Sequence, residues 1–439
     1  MQSRKIEGKA MNFEGLNVVV FGAGISGQSA IKLLTSCNSR VFIVNRSTVE
    51  DSIKDKGTFF LEDDPRAKDV MARADLIILS PGIPREHSIL EEPLKNGVPI
   101  WSEIEMGFHF CSLPIAAVTG TNGKTTTVSL IGEMLKASGL RPFVGGNIGR
   151  AFCDLPFVQD QYDVVVLELS SFQLESIEKF HPSVSALLNV FPNHGERYKS
   201  FDEYGVAKTN ILKNWSKGDH FFCFEDIPAN LKKILSTKEV EYISRVDNKE
   251  FFEGHDLKDF KLPGSHNLQN LLFAQKISHC LGGTQEGVQK TISNFCGVDF
   301  RLQFIPSSHP FTCYNDAKST NWEATLTAIK ALQCEKKPLS IILGGAKRGR
   351  GDTLPPEFIS LKDKFHKIFL IGETTSDLSN ELKKEGISHE SCFSLPQVEC
   401  MIEEGFEGNL LFSPAFPSFD QYENYVERGK HFTGLFGNL

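Results

Sequence analysis

Residues 118 to 127 read Val-Thr-Gly-Thr-Asn-Gly-Lys-Thr-Thr-Thr, a glycine-punctuated turn that follows an apolar run and opens onto Lys124 and Thr125. Such a turn suits a nucleoside triphosphate. The backbone N–H groups of Gly120, Thr121, Asn122, Gly123 and Lys124 can point at phosphate oxygens, a helix start adds partial positive charge, and the lysine ammonium reaches the outer phosphates. Thr125, with Thr126 beside it, offers a hydroxyl to Mg²⁺. The spacing is G-x-x-G-K-T, a shortened form of the phosphate loop, which in its strict form has a glycine where Val118 stands. An ordinary strand-to-helix turn is the alternative. The apolar run before the turn and the amphipathic stretch Val128 to Leu135 after it supply the setting the phosphate chemistry requires.

A carboxylate belongs to the same chemistry. The apolar strand pattern Val164 to Leu167 runs straight into Glu168-Leu-Ser-Ser-Phe-Gln173, so Glu168 emerges at the carboxyl edge of a buried parallel strand, where open α/β sheets bind ligands. Leu187 to Val190 repeats the pattern and leads into Asn193-His194-Gly-Glu196-Arg197. Nearer the N-terminus, Gly22-Ala-Gly24-Ile-Ser-Gly27 sits between a strand and its helix, where a nucleotide pyrophosphate meets a helix N-terminus. A nicotinamide enzyme would carry an acidic residue at the end of the second strand; this chain has Asn45 followed by Arg46, which argues against NAD. A further turn, Ser80-Pro-Gly82-Ile-Pro84, ends another strand on that edge.

The elements that must carry these residues alternate. Strand patterns at Asn17 to Phe21, Arg40 to Val44 and Leu76 to Leu79 enclose a helix pattern at Ser26 to Leu34, the signature of a parallel sheet with crossover helices. From about Val298 the alternation resumes with strands Cys313 to Asn315, Leu339 to Leu343, Lys367 to Ile371 and Asn409 to Ser413 and a helix at Glu323 to Ala331. A chain of 439 residues exceeds what one core usually serves. The expectation is an α/β protein of three domains, residues 1–102, 103–298 and 299–439, the first two each carrying a nucleotide-type glycine turn. A net charge of −8 argues against a nucleic-acid groove or an anionic membrane surface as the main partner. The ten cysteines form no C-x-x-C pair and no Cys/His cluster at metal spacing, as in a reduced cytoplasmic enzyme. No apolar run approaches the ~20 residues of a membrane span, and the first residues lack the apolar segment of a signal peptide.

With Gly120-Thr-Asn-Gly-Lys-Thr-Thr126, Glu168-Leu-Ser-Ser-Phe-Gln173, His194 and Leu262-Pro-Gly-Ser-His-Asn267-Leu-Gln-Asn270 in one order, the chain resembles the Mur ligases, ATP-dependent amide-forming enzymes of peptidoglycan synthesis, over essentially its whole length. Within that family, Asn315-Asp-Ala-Lys-Ser-Thr-Asn321 and Ser413-Pro-Ala-Phe-Pro-Ser-Phe-Asp420 look like the segments of the member that adds D-glutamate to UDP-N-acetylmuramoyl-L-alanine. The resemblance implies an acyl phosphate, attack by the amine of D-glutamate, and loss of phosphate from a tetrahedral intermediate. It implies Lys124 on the phosphates, Mg²⁺ held by Thr125 and Glu168, and a second Mg²⁺ near His194 and a carbamylated lysine that maps to Lys208. Read without the family, Lys208 is a solvated helix lysine and His194 a core or loop histidine.

By the same resemblance Asn270 takes the adenine, Arg301 the phosphates and Asp316 the ribose. Asn147, in Gly145-Gly-Asn-Ile-Gly149, matches a position near the muramoyl substrate, although the glycine cluster could be a plain turn. Ile25, Ser26, Asn45, Arg46 and Gly82 match the pocket for the UDP moiety. Lys318 and Thr320 match residues contacting the amino acid, and Ser418 and Tyr425 those at its side-chain carboxylate. Arg348 falls where the family has a basic residue; Lys347 and Arg350 are substitutes, and the run could be only a solvated loop. Departures are Asn45 for a frequent aspartate, Asn193 and Glu196 for aspartates flanking the histidine, Ser319 for alanine, Phe416 for cysteine and Tyr425 for phenylalanine. The implied protein is a cytoplasmic monomer. A sister Mur ligase, a folylpolyglutamate synthetase relative, a nucleotide-binding regulator and a dehydrogenase are the competing readings; an N-terminal UDP-type domain argues against the folate enzyme, and the dehydrogenase rests only on the first glycine motif.

Overall fold

The computed structural model describes residues 12–191, 197–244, 255–333, 337–347, 353–402 and 406–437. Among the described residues three sheets carry the chain, and the central strands of each are short apolar runs of the kind that parallel strands covered on both faces require. The first contains β1 (Asn17–Phe21), β2 (Arg40–Asn45), β3 (Thr58–Leu61), β4 (Leu76–Leu79) and β5 (Ile100–Ser102), parallel in the order β3-β2-β1-β4-β5. Val18, Val19, Val20 and Phe21 are fully buried in its centre.

The second sheet contains β6 (Ile115–Thr119), β7 (Pro142–Gly146), β8 (Val164–Glu168), β9 (Val184–Leu187), β10 (His220–Phe224) and β11 (Glu241–Ile243), parallel in the order β11-β10-β9-β6-β8-β7. β9 begins and ends three residues before the expected Leu187 to Val190. Leu188 still donates its N–H to Thr119 O at 2.9 Å, but the chain then leaves the ladder and Asn189 faces the loop after β6. The third sheet contains β12 (Gln303–Ile305), β13 (Phe311–Asn315), β14 (Leu339–Gly344), β15 (Phe365–Ile371), β16 (Glu390–Phe393) and β17 (Gly408–Phe412). Its order is β12-β13-β17-β14-β15-β16, with only the β12–β13 pair antiparallel. The α/β class and the crossover connections match the alternation in the sequence.

The chain divides into two compact units: Met1–Val246 with Gln269–Thr291, which holds the first two sheets, and Asp247–Leu268 with Ile292–Leu439, which holds the third. Within the first unit the helix Glu103–His109 joins the sheets. Its Glu105 is fully buried and accepts the N–H groups of Glu178, Lys179 and Phe180, each at 2.8 Å. Burial alone would raise the Glu105 pKa, but the bonds from His109 and those three N–H groups outweigh it and hold the carboxyl below its ordinary range. Ser29 Oγ donates to Asp154 at 2.8 Å and Trp101 Nε1 to Glu178 at 2.7 Å, so both sheets are tied by polar contacts as well as packing. Among the described residues no helix is long and apolar enough to cross a membrane, and the nine described cysteines are free thiols.

Candidate active site

β6 is buried along its whole length and releases the chain at Gly120, whose φ is +157°. Gly123 turns it with φ +84° into the helix Lys124–Ala137. A Cβ at Gly123 would stand 2.4 Å from Asn270 Oδ1, so the left-handed backbone and the close approach both demand glycine. Asn270 Oδ1 also accepts from Thr127 Oγ1 at 3.3 Å, which seats Asn270 behind the loop. Lys124 folds back over the turn and donates to the carbonyls of Gly120 and Thr121, each at 2.9 Å.

Two of the five N–H groups expected to face phosphate do not do so. Thr121 N–H is directed at the main-chain oxygen of Asn189 (3.0 Å) and its Oδ1 (3.1 Å), and Asn122 N–H at Oδ1 (2.9 Å). Asn189 was invisible in the sequence because it follows Leu187 and Leu188 in a run that reads as strand.

The β6–β8 pairing sets Val118 opposite Glu168 and so carries the carboxylate to the same edge. Glu168 is 2% exposed. Its Oε2 accepts from Thr125 Oγ1 at 2.8 Å, and its Oε1 from Asn147 Nδ2 at 3.0 Å. Asn147 N–H closes on Glu168 O at 2.8 Å, which makes the Gly145 to Gly149 turn a clamp on the carboxylate. A threonine hydroxyl and a carboxylate at one point are hard oxygen donors of the type Mg²⁺ prefers. Among the described residues no three His, Cys, Asp or Glu side chains gather at metal spacing. His194, Asn193 and Glu196 lie outside the described residues.

Lys208 is not the solvated lysine that its surroundings in the sequence suggest. It lies on the helix Phe201–Thr209, capped by Ser200, and shares a buried face with Tyr204 and Ala207; the i, i+4 spacing puts it over Tyr204. It is 1% exposed, its Nζ is 4.5 Å from the Tyr204 ring centroid, and it donates to Gly120 O at 2.9 Å. Burial, and then the charge of Lys124, pull its pKa down to about 7 against the opposing pull of Glu168. Tyr204 in turn shares a hydrogen bond with Thr121 Oγ1 at 3.2 Å.

The N-terminal candidates gather at the carboxyl edge of the first sheet. Gly22, with φ +96°, follows β1, and Ser80 Oγ after β4 donates to Gly22 O at 2.7 Å. Asn45 at the end of β2 accepts from Ala23 N–H at 3.0 Å and donates to Ser47 O at 2.8 Å. An aspartate could make only the first of these bonds. Ile25 is 76% exposed, Arg46 and Gly82 are exposed, and Ser26 is half-buried.

In the second unit Asp316 follows β13 and is buried. It accepts from Ser413 Oγ at 2.8 Å, from Ser319 Oγ and from Leu302 N–H at 3.0 Å. Burial pushes its pKa up to about 6 against those bonds and the nearby Arg301 charge. Ser319 thus has a defined task, where an alanine would leave Asp316 one donor short. Lys318 Nζ stands 5.4 Å from the Tyr425 ring, which brings those two candidates together; Thr320 is half-buried and Ser418 buried. Arg428, which drew no attention in the sequence, is 1% exposed and donates to Ala317 O (3.1 Å), Phe416 O (2.9 Å) and Pro417 O (3.0 Å). It ties the segment after β13 to the segment after β17, and desolvation lowers its pKa to about 10. Arg348 and Arg350 lie outside the described residues; Lys347 pairs with Asp377 at 2.7 Å.

Comparison with known proteins follows the same lines. Residues 118–277 match the Mur ligase middle domain, and residues 16–102 the Mur ligase MurD-like N-terminal domain. A protein of Alkaliphilus oremlandii named UDP-N-acetylmuramoylalanine--D-glutamate ligase is 33% identical over 98% of this chain and 100% of its own length. A Bacillus cereus protein of that name is 33% identical over 96% of this chain and 97% of its own. Among solved structures, the UDP-N-acetylmuramate-alanine ligase MurC of Thermotoga maritima superposes with a TM-score of 0.53 at 19% identity, covering 95% of this chain and 98% of its own. The MurF ligase of Thermotoga maritima in complex with ADP gives 0.54 at 15% identity over 98% and 99%. These structures share the fold.

Proposed function

The chain belongs to the Mur ligase family, and within it we propose the ATP-dependent ligase that adds D-glutamate to UDP-N-acetylmuramoyl-L-alanine in the synthesis of peptidoglycan precursors. The observation that carries this reading is end-to-end similarity to relatives of that name, together with Lys124, Thr125, Glu168 and Lys208 placed around one turn.

In this reading the γ-phosphoryl group of ATP passes to the alanyl carboxylate and ADP leaves. The amine of D-glutamate then attacks the acyl phosphate, an N–C bond forms, and phosphate departs with loss of one amine proton. Both steps concentrate negative oxygens, so fixed cations and donors must stand ready. Lys124 supplies one cation. Thr125 and Glu168 are suited to hold Mg²⁺, which when bound would neutralise phosphate charge; Asn147 orients the carboxylate for that task. Lys208, with a pKa near 7, offers a neutral amine to CO₂; the resulting carbamate would be an oxygen ligand, with His194 its partner for a second Mg²⁺.

Ile25, Ser26, Asn45, Arg46 and Gly82 are assigned to the UDP moiety, and Gly120 to Thr126, Asn270, Arg301 and Asp316 to ATP. Lys318, Thr320, Arg348, Ser418 and Tyr425 are assigned to D-glutamate. Three domains, 1–102, 103–298 and 299–439, a monomer and a cytoplasmic location complete the reading. Incubation with ATP, Mg²⁺, UDP-N-acetylmuramoyl-L-alanine and hydroxylamine, without D-glutamate, tests its chemistry. An alanyl hydroxamate is expected. Its absence from an enzyme that turns over with D-glutamate would contradict the acyl phosphate.

A further inference from the structure

We propose that Asn189 is a positioning residue for the nucleotide-phosphate loop, an inference that rests on reading residues 120–125 as an ATP site. Asn189 stands two residues beyond the end of β9, the strand beside β6 in the sheet. The last ladder bond, Leu188 N–H to Thr119 O, brings it level with the turn. There it grips the peptide around Asn122 from both sides. Oδ1 accepts the N–H groups of Thr121 (3.1 Å) and Asn122 (2.9 Å), Nδ2 donates to Asn122 O (3.1 Å), and the main-chain oxygen also receives Thr121 N–H (3.0 Å). Leu188 packs so tightly under Gly120 that a Cβ there would lie 3.0 Å from its own Cβ.

The physical consequence is pre-ordering. A glycine-rich turn is conformationally soft, and holding it in one shape costs entropy that would otherwise be lost when phosphate binds. One primary amide offers an acceptor for two N–H groups and a donor for the carbonyl between the turn and the helix. Aspartate keeps the acceptors, loses the donor, and sets a negative charge beside the phosphates. Alanine loses all three side-chain bonds.

The test compares the intact enzyme with Asn189→Ala and Asn189→Asp. The Mg·ATP dissociation constant is read by calorimetry, KM is read for all three substrates, and urea unfolding is followed alongside. The Ala variant is expected to bind ATP about tenfold more weakly, with the other two KM values changed less than about twofold. The Asp variant is expected to lose more, and that excess is expected to shrink as salt is raised. ATP affinity within about twofold of the parent in both variants would overturn the proposal, as would a parallel rise of all three KM values. If Asn189→Ala unfolds, Asn189→Asp, which retains both acceptor bonds, carries the test. A parent enzyme that binds ATP but turns over no amino acid would sink the ligase reading and leave this inference standing on the calorimetry; a parent that binds no ATP would overturn both.

Discussion

The side-chain nitrogens of Lys124 and Lys208 each lie 2.9 Å from the same acceptor, the carbonyl oxygen of Gly120. One carbonyl cannot neutralise two ammonium groups, and Lys208 is the more deeply buried of the pair. Desolvation first, and repulsion by Lys124 second, therefore favour the neutral amine on Lys208. The phosphate loop and the lysine proposed for carbamylation are thus one electrostatic unit built on Gly120.

Removal of Lys124 should strike the first chemical step. Lys124→Ala is expected to lower kcat by about 10²- to 10³-fold, because a transition-state cation is lost. Hydroxamate trapping checks this directly, and a near-parent yield from a folded variant would refute the role.

If Lys208 carries the proposed carbamate, activity should depend on both pH and CO₂. With a pKa near 7, the neutral amine becomes scarcer by roughly tenfold for each pH unit below that value. Activity in CO₂-depleted buffer should fall as pH drops from 8 to about 6 and recover with added bicarbonate. Short carboxylic acids should partly restore Lys208→Ala. Parent-like activity in that variant would sink the carbamate. Stability carries the same signature: the unfolded chain holds a proton that the folded chain has released between about 7 and 10.5, so stability should rise with pH across that window. Lys208→Met should flatten the slope in urea titrations.

Glu103 predicts the opposite slope. It is 1% exposed and accepts Cys153 N–H through Oε1, while its Oε2 has no hydrogen-bond partner among the described residues; burial raises its pKa to about 7 against the bonds from Cys153 and Phe152. Here the folded chain holds the proton that the unfolded chain has lost. Its contribution is complete below about 4.5 and fades as pH rises to about 7, by up to about 3 kcal/mol. Glu103→Gln should therefore unfold at higher urea than the parent at pH 8 and nearly together with it at pH 5. Equal midpoints at pH 8 would contradict a Glu103 pKa raised by burial.

Asn45 separates two roles of one side chain. Asn45→Asp keeps the acceptor for Ala23 N–H but loses the donation to Ser47 O, whereas Asn45→Ala loses both. The KM for the nucleotide-sugar should rise about threefold in the first and about tenfold in the second. Equal effects would mean that the glycine loop is shaped by something other than this amide.

The parallel sheets and both glycine turns were legible because buried parallel strands are written as apolar runs and phosphate turns as glycine. What escaped was set by contacts distant in sequence. Asn189 is a single polar residue at the end of such a run, and only the register of β9 against β6 turns it toward Thr121. Lys208 looked solvated because its charge, not its i, i+4 relation to Tyr204, dominates the local pattern. Arg428 follows the exposed Glu427 in its helix and carries a charge, and nothing local announces that Ala317, Phe416 and Pro417 converge on it. Asn270 and Glu168, read from motif and strand edge, do stand against the loop.

Phosphate release from ATP in the presence of Mg²⁺ and UDP-N-acetylmuramoyl-L-alanine, with D-glutamate compared against L-glutamate, L-alanine, L-lysine and meso-diaminopimelate, tests the central claim most directly. Release with D-glutamate alone, matched by formation of the dipeptide product, is the predicted result. Release supported by another of these amino acids in its place, or by none, would contradict it.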